Sequence, residues 1–460
     1  MDATTFRTRR SQLRAAVTGG AILLLGNGEV PRNYAANTYP FRQGSHFLYY
    51  VGTDLPGFAA LISPDGETTL YGPAEDPDDL IWHGPHPVLA DHASQAGVER
   101  AVEAGGLAAA LASYRAKGVP IRYLPAYRGG EEIALAALLG VPREAVAPGV
   151  CPELARAVAE QRSIKSDAEI AEIERAIGVS AEMYDAALKV IRPGVREAEV
   201  AGAMQAVSLA CDMPQSFLPI VSIHGEVLHN NTYGNVLAAG DLLLIDSGVE
   251  APPSYACSDI TRTFPVSGRF TPEQRAVYEV VLAAQSAVIR AASPQVSNRD
   301  LHLIAAKTIA AGLIDMGLLR GSVEDAVAAG AHALFFVHGI GHMLGLDVHD
   351  MEDLGDVVGY PQGEKRSGQF GMSFLRLAKK LKPGFCITVE PGIYFIPALI
   401  DRWAAEKRHE RFIDYAAVRK LRGVRGIRIE DDLLITATGS RVLGKPIPKA
   451  VADVEGALRR

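Results

Sequence analysis

Three imidazoles stand close together in the stretch Phe336-Val337-His338-Gly339-Ile340-Gly341-His342-Met343-Leu344-Gly345-Leu346-Asp347-Val348-His349, in otherwise apolar, glycine-rich sequence. Imidazole ligates metals, carries protons and polarises carbonyls near neutral pH. Glycines at 339, 341 and 345 allow close approach of backbone to a ligand and discourage a regular helix, so the stretch reads as a strand or loop wall of a site. Taken alone, His338 and His342 are equally compatible with satisfied core histidines or with one face of a short helix.

Acids elsewhere in the chain break that tie. Leu242-Leu243-Leu244-Ile245-Asp246-Ser247-Gly248 is an apolar strand ending in an acid, and Asp259 follows in Ser258-Asp259-Ile260-Thr261-Arg262. Ile387-Thr388-Val389-Glu390-Pro391-Gly392 repeats the pattern. In Ile427-Arg428-Ile429-Glu430-Asp431-Asp432-Leu433-Leu434-Ile435, strand alternation puts Arg428, Glu430 and Asp432 on one face. A buried carboxylate needs a partner, because leaving it unpaired is expensive. Carboxylates with one imidazole offer mostly hard oxygen donors, which suit Mn²⁺, Co²⁺ or Zn²⁺ in a site sharing ligands between two ions. Four negative charges also balance two divalent cations, which explains how so many acids can be buried together.

The elements that must position these side chains follow from periodicity and turn residues. Residues 1–155 alternate short apolar runs with turns and alanine-rich segments, with strands expected at 21–25, 47–51, 58–62 and 68–71 and helices at 105–114 and 131–139. This region reads as a separate, smaller α/β domain without a dense cluster of ligand side chains. The basic run Arg7-Thr8-Arg9-Arg10 reads as the solvated face of a first helix, with Phe6 and Leu13 turned inward. Proline and glycine return at 142–152, placing the join there and a second domain over 156–460. Ser166 and Glu169 have the spacing of a capping box, and Ile170, Ile173 and Ile177 mark one buried face of the long helix that follows. A second helix is expected at 197–210, strands at 217–223, 242–248 and 261–266, and a further helical pair at 272–292 and 299–316. Helices followed by strands thus occur twice, in the manner of a duplicated half-domain.

A chain of 460 residues is too long for one ordinary core. Its 48% apolar and 22% charged residues are ordinary for a globular protein. A net charge of −7 supplies no field that would gather nucleic acid or anionic lipid, which favours a small or peptide-like ligand. Cys151, Cys211, Cys257 and Cys386 lie far apart without a C-x-x-C pair, so neither a disulfide framework nor a thiolate zinc site is expected, and a reducing cytoplasm fits best. Ala21-Ile22-Leu23-Leu24-Leu25 is too short to span a bilayer and reads as a buried strand, with no membrane anchor expected.

Taken in order, Asp246, Asp259, His342, Glu390 and Glu430 sit in local sequences that resemble those of the pita-bread metallopeptidases, in the branch containing aminopeptidase P and prolidase. The matching stretches are Ile245-Asp246-Ser247-Gly248, Asp259-Ile260-Thr261-Arg262-Thr263-Phe264-Pro265, His338-Gly339-Ile340-Gly341-His342, Thr388-Val389-Glu390-Pro391-Gly392-Ile393-Tyr394 and Arg428-Ile429-Glu430-Asp431-Asp432. Tyr39-Pro40-Phe41-Arg42-Gln43 extends the resemblance into the N-terminal part. It implies an α+β protein whose catalytic pita-bread domain follows an aminopeptidase P type N-terminal domain. It also implies two divalent ions, Mn²⁺ first and Co²⁺ or Zn²⁺ as alternatives, with Asp246 and Asp259 on one, His342 and Glu390 on the other, and Asp259 and Glu430 bridging. A hydroxide shared by the pair would attack the carbonyl before proline, with Glu390 also acting as general base. His229, His338, His349 and Tyr394 are implied to bind substrate, His338 and His349 to stabilise the tetrahedral intermediate, and Arg428 to fix the bridging acid or a substrate carboxylate.

The implied activity is release of the residue before a penultimate proline, by an Xaa-Pro aminopeptidase that forms homodimers or homotetramers. Inserts at 351–380 and 397–423 look more like prolidase of the larger type, so a dipeptide-only prolidase is the alternative. A pita-bread binding protein without catalysis is the rival from another class, disfavoured because all five ligands remain. Between the first two acids the spacing is slightly long, with Pro252-Pro253 inside it, and a wider loop that keeps both ligands is expected there.

Overall fold

The computed structural model describes residues 1–74, 78–82 and 84–458. The chain is α+β and divides into two compact units, one formed by residues 1–162 with 351–358, the other by 163–350 with 359–460. The join expected at 155/156 falls inside a helix, Pro152–Ser163, so the units part at 162/163.

In the first unit, β1 (Ala21–Leu25), β2 (Ala59–Ile62), β3 (Thr68–Gly72), β4 (Arg100–Glu103) and β5 (Ile121–Arg122) form one sheet in the order β4-β3-β2-β1-β5. The β1–β2 and β2–β3 pairs are antiparallel, while β3–β4 and β1–β5 are parallel. Helices Gly106–Ala116 and Gly129–Leu139 pack Leu107, Leu111, Leu135 and Leu139 onto Leu23, Leu61 and Tyr71 of the sheet.

Two expectations fail here. Residues 47–51 are helical, within Ser45–Val51, which stops at Gly52 with φ +78°. All five side chains are buried, and a short apolar run buried on every side carries no period to separate helix from strand. Arg9 and Arg10, on the helix Ala3–Ala16, are buried too: Arg10 donates to the carbonyls of Tyr50, Ala96 and Gly97, and Arg9 lies 3.8 Å above the Tyr49 ring. Their guanidinium groups satisfy backbone acceptors and do not form a solvated face.

In the second unit, α1 (Asp167–Val190) begins at the Ser166–Glu169 capping box and buries Ile170, Ile173 and Ile177 against Ala256, Cys257, Leu344 and Cys386. It packs on α2 (Glu197–Ala210), and a second packed pair is Pro272–Ala291 with Asn298–Asp315. The strands are antiparallel throughout. Here β6 (Ile220–Ser222), β7 (Leu242–Ser247) and β8 (Ile260–Pro265) form one sheet with β7 central. A second contains β9 (Cys386–Val389) and β12 (Asp431–Ile435), and β10 (Gly392–Tyr394) pairs with β11 (Gly426–Arg428). Between the first two acids the chain makes a small hairpin in which Glu250 opposes Cys257 and Ala251 opposes Ala256. The insert 397–423 contains α3 (Pro397–Ala405) and a shorter helix, Tyr415–Lys420.

Candidate metal centre and substrate pocket

Two threonines on neighbouring strands gather the acidic and imidazole groups. Thr261 opposes Asp246 across the β7–β8 ladder, stands two residues after Asp259, and accepts at its carbonyl the Glu430 N–H at 3.0 Å. Thr388 on β9 donates its N–H to the His342 carbonyl at 3.0 Å, and two residues on the Glu390 N–H reaches the Ile340 carbonyl at 2.9 Å. Backbone pairing thus converts five short motifs, spread over nearly two hundred residues, into one cluster. The histidine stretch itself is irregular, joined to β9 by a single bridge between Met343 and Ile387, as its glycines require.

Asp246, Asp259, His342, Glu390 and Glu430 all line one cavity of about 850 Å³. His342 Nε2 stands 3.4 Å from Asp259 Oδ2 and 3.7 Å from Glu390 Oε1, and one ligand atom each of Asp259, His342 and Glu430 fall within 4.8 Å of one another. The His342 Nδ1–H donates to the Met343 carbonyl at 3.0 Å, which turns the Nε2 lone pair toward the carboxylates. Burial holds His342 neutral, the form that ligates a cation.

The carboxylates show a deficit of positive charge. Burial, then the neighbouring acids, push Asp259 and Glu430 well above the usual carboxylate range, and burial lifts Glu390 to about 7 against the pull of Arg428. Asp246 Oδ1 and Asp259 Oδ1 are buried without a hydrogen-bond partner among the described residues. Orphaned carboxylate oxygens, a lone pair held toward them and mutual repulsion among acids fit divalent cations as the missing partners.

Arg428 closes the cluster from behind. Its guanidinium donates to Asp246 Oδ2 at 2.5 Å, to Thr261 Oγ1 at 3.1 Å and to the Tyr394 hydroxyl at 2.9 Å. The expected partner was the bridging acid or a substrate carboxylate; the ion pair is made with Asp246, because Asp246 and Arg428 sit across from each other on β7 and β11. Glu430 takes the Thr261 hydroxyl instead, at 2.6 Å. Asp432 accepts the Asp259 N–H at 3.0 Å, a supporting contact invisible in the motif.

His229, His338 and His349 line the cavity with Phe217, Phe370 and Arg376, and the His349 ring meets His342 edge-on at 4.2 Å. Tyr394 does not line the cavity. It is fully buried, donating its hydroxyl to His338 Nε2 at 2.8 Å while accepting from Arg428, so it props the wall and does not touch substrate. The His338 Nδ1–H is committed to the Gly339 carbonyl at 2.7 Å, and burial with Arg428 nearby lowers its pKa to about 3. From α3, Ile396 at its cap, Ala398, Leu399 and Arg402 complete another stretch of wall. Thr261, Thr388 and these insert residues were missed from sequence; a threonine two positions from a ligand on the same strand is the one signal that points to the first pair.

Residues 171–437 match the model of metallopeptidase family M24, and residues 6–119 match that of the aminopeptidase P N-terminal domain. The chain is 32% identical to the Xaa-Pro dipeptidase of Homo sapiens over 98% of its own length and 91% of that protein. It is likewise 32% identical to a probable Xaa-Pro aminopeptidase of Uncinocarpus reesii, over 95% and 89%. Among solved structures, aminopeptidase PepP of Pseudomonas aeruginosa superposes with a TM-score of 0.82 at 29% identity, covering all of this chain and 98% of that one. An Escherichia coli aminopeptidase P variant in complex with substrate gives 0.81 at 28% identity over the same shares. Among the described residues no helix is long and apolar enough to cross a membrane.

Proposed function

This chain belongs to metallopeptidase family M24, and from that premise we propose that it is a metal-dependent Xaa-Pro aminopeptidase, releasing the first residue of peptides whose second residue is proline. The supporting observation is the convergence of Asp246, Asp259, His342, Glu390 and Glu430 on one wall of a cavity also lined by Phe217, Leu228 and Phe370, which suit a pyrrolidine ring. Asp246 and Asp259 would hold one ion, His342 and Glu390 the other, with Asp259 and Glu430 between them; Mn²⁺ is the ion we propose, for its preference for carboxylate oxygen. Bound there, the ions would supply Lewis acidity toward the scissile carbonyl and acidify the attacking water.

The chain's own groups do the rest. Glu390 would accept the proton of the attacking water and return it to the departing proline nitrogen, a role suited to a carboxyl whose pKa lies near neutrality. His349 and His338 flank the carbonyl, and His229 faces the substrate from the opposite loop. An Xaa-Pro bond carries no N–H, so recognition rests on shape and apolar contact at the ring.

A dipeptide-only activity is the second reading, favoured by the Xaa-Pro dipeptidases among the relatives and by the insert 397–423. Assay of protein purified without chelator, with Mn²⁺ added, against Xaa-Pro and Xaa-Pro-Yaa separates the two. We expect hydrolysis of both; cleavage of the dipeptide alone selects prolidase, and bound metal without hydrolysis of either points to a non-catalytic binding protein. Glu390→Ala should abolish turnover while Cys386→Ala leaves it intact. Four free cysteines support a reducing, cytoplasmic setting, and light scattering tests the homodimer or homotetramer proposed from the resemblance.

A further inference from the structure

Between β6 and β7 the chain runs from 223 to 235 without regular secondary structure, and Leu228, His229 and Asn231 within it line the cavity. Such a loop, with ends drawn together and a functional side chain at its tip, has the character of an Ω-loop. What draws the ends together is one side chain. Glu197, the first residue of α2, is fully buried, and its carboxylate accepts the Ile223 N–H at 2.8 Å on Oε1 and the Asn235 N–H at 3.2 Å on Oε2. The Asn235 side-chain amide adds 3.1 and 3.0 Å contacts to the two oxygens, and the Glu197 N–H returns to the Asn235 carbonyl at 3.0 Å.

No ion pair to Glu197 occurs among the described residues. A fully buried carboxylate held only by N–H donors is retained at a desolvation cost that an apolar residue would avoid. Every partner here is a donor, and two of them are backbone groups, one from each end of the loop. Within the loop, Ser222 Oγ accepts from the His224 N–H and the Asn230 amide, and the Tyr233 hydroxyl donates to the Pro219 carbonyl at 2.6 Å. These secondary ties shape the loop; only Glu197 clamps both ends.

We propose that Glu197 is a positioning residue of the substrate pocket, fixing through the two ends of the 223–235 loop where His229 stands relative to the carboxylate–imidazole cluster. This rests on the reading of that cavity as the Xaa-Pro site. Glu197→Gln is the sharp variant, since it keeps size and shape but replaces one acceptor by an NH₂ group that must face a backbone N–H. One end of the loop is then released.

The test is a cycle of Glu197→Gln and His229→Ala on the Mn²⁺-loaded enzyme with an Xaa-Pro dipeptide. Glu197→Gln should raise KM about tenfold with kcat changed less than about threefold and metal content unchanged, and should add less than about twofold in the His229→Ala background, the non-additivity expected of coupled groups. If the glutamine variant fails to fold, Glu197→Asp, which keeps the charge and retracts it, should show a smaller KM rise with the same dependence on His229. An equal KM effect in both backgrounds, or none in the wild-type background, overturns the proposal. A wild-type enzyme that cleaves no Xaa-Pro substrate instead sinks the peptidase reading, and this inference with it.

Discussion

Tyr394 is no ligand, yet it governs two groups that border the metal centre. Its hydroxyl accepts from Arg428 and donates to His338 Nε2, so one oxygen holds a buried guanidinium and an imidazole in fixed orientation. Tyr394→Phe leaves both without that partner, at a cost of about 1–3 kcal/mol for each buried group. The expected outcome is a lower melting temperature and a kcat reduced by about ten- to a hundredfold, the range for groups that orient a site from behind. Metal content, measured by plasma mass spectrometry, should stay at the wild-type level; loss of metal would show that Tyr394 supports the ligands and not the imidazole. At this scale the sequence was informative for the five ligands, because each lies in a short motif at the end of an apolar strand. The roles of Tyr394, Thr261 and Thr388 were not legible, because they depend on which strand lies opposite, and a single strand carries no record of its neighbour.

Elements were legible in proportion to their period. The capping box at Ser166 and the isoleucines after it specify α1, and 197–210 matches α2 residue for residue. The insert 397–423 reads as polar and helix-like, but its helix α3 buries Leu399, Ile400 and Trp403, the last fully. Trp403 packs edge-on against Phe370 at 5.6 Å and His409 at 5.4 Å, under the Arg408 guanidinium at 4.2 Å. Since α3 contributes Ala398, Leu399 and Arg402 to the cavity wall while every ligand lies elsewhere, the insert shapes substrate space without touching the metal centre. Trp403→Ala should destabilise the protein by about 3–5 kcal/mol. It should also raise KM for Xaa-Pro-Yaa more than it lowers kcat, with metal content unchanged. A fall in kcat at constant KM would mean that α3 acts on the chemistry and not on the pocket.

Across the whole molecule, the segment 351–358 belongs to the same compact unit as residues 1–162, a long-range association that no local pattern announces. The concentration of acids in the second unit is a whole-molecule property too, since it sets how stability answers to pH. Burial and mutual repulsion raise Asp259, Glu430 and Asp432 well above the ordinary carboxylate value, and burial lifts Glu390 to about 7. Buried histidines pull the other way: His302 and His332, lowered by burial to about 3 and 4, stay neutral in the folded protein while their unfolded counterparts bind protons below about pH 6.5. Below that pH the two effects oppose each other. Above it histidine is neutral in both states, and only the carboxylates differ, holding protons when folded that the unfolded chain has lost. Metal-free protein should therefore lose stability as pH rises from about 6.5 to 8, by up to about 1.4 kcal/mol per pH unit for each retained proton. Divalent ions take the place of those protons, so the metal-loaded protein should hold its melting temperature over the same interval and the gap between the two forms should widen with pH. Thermal melts of chelated and Mn²⁺-saturated protein at several pH values measure this directly, and parallel curves would mean that the five side chains do not share their charge with bound metal.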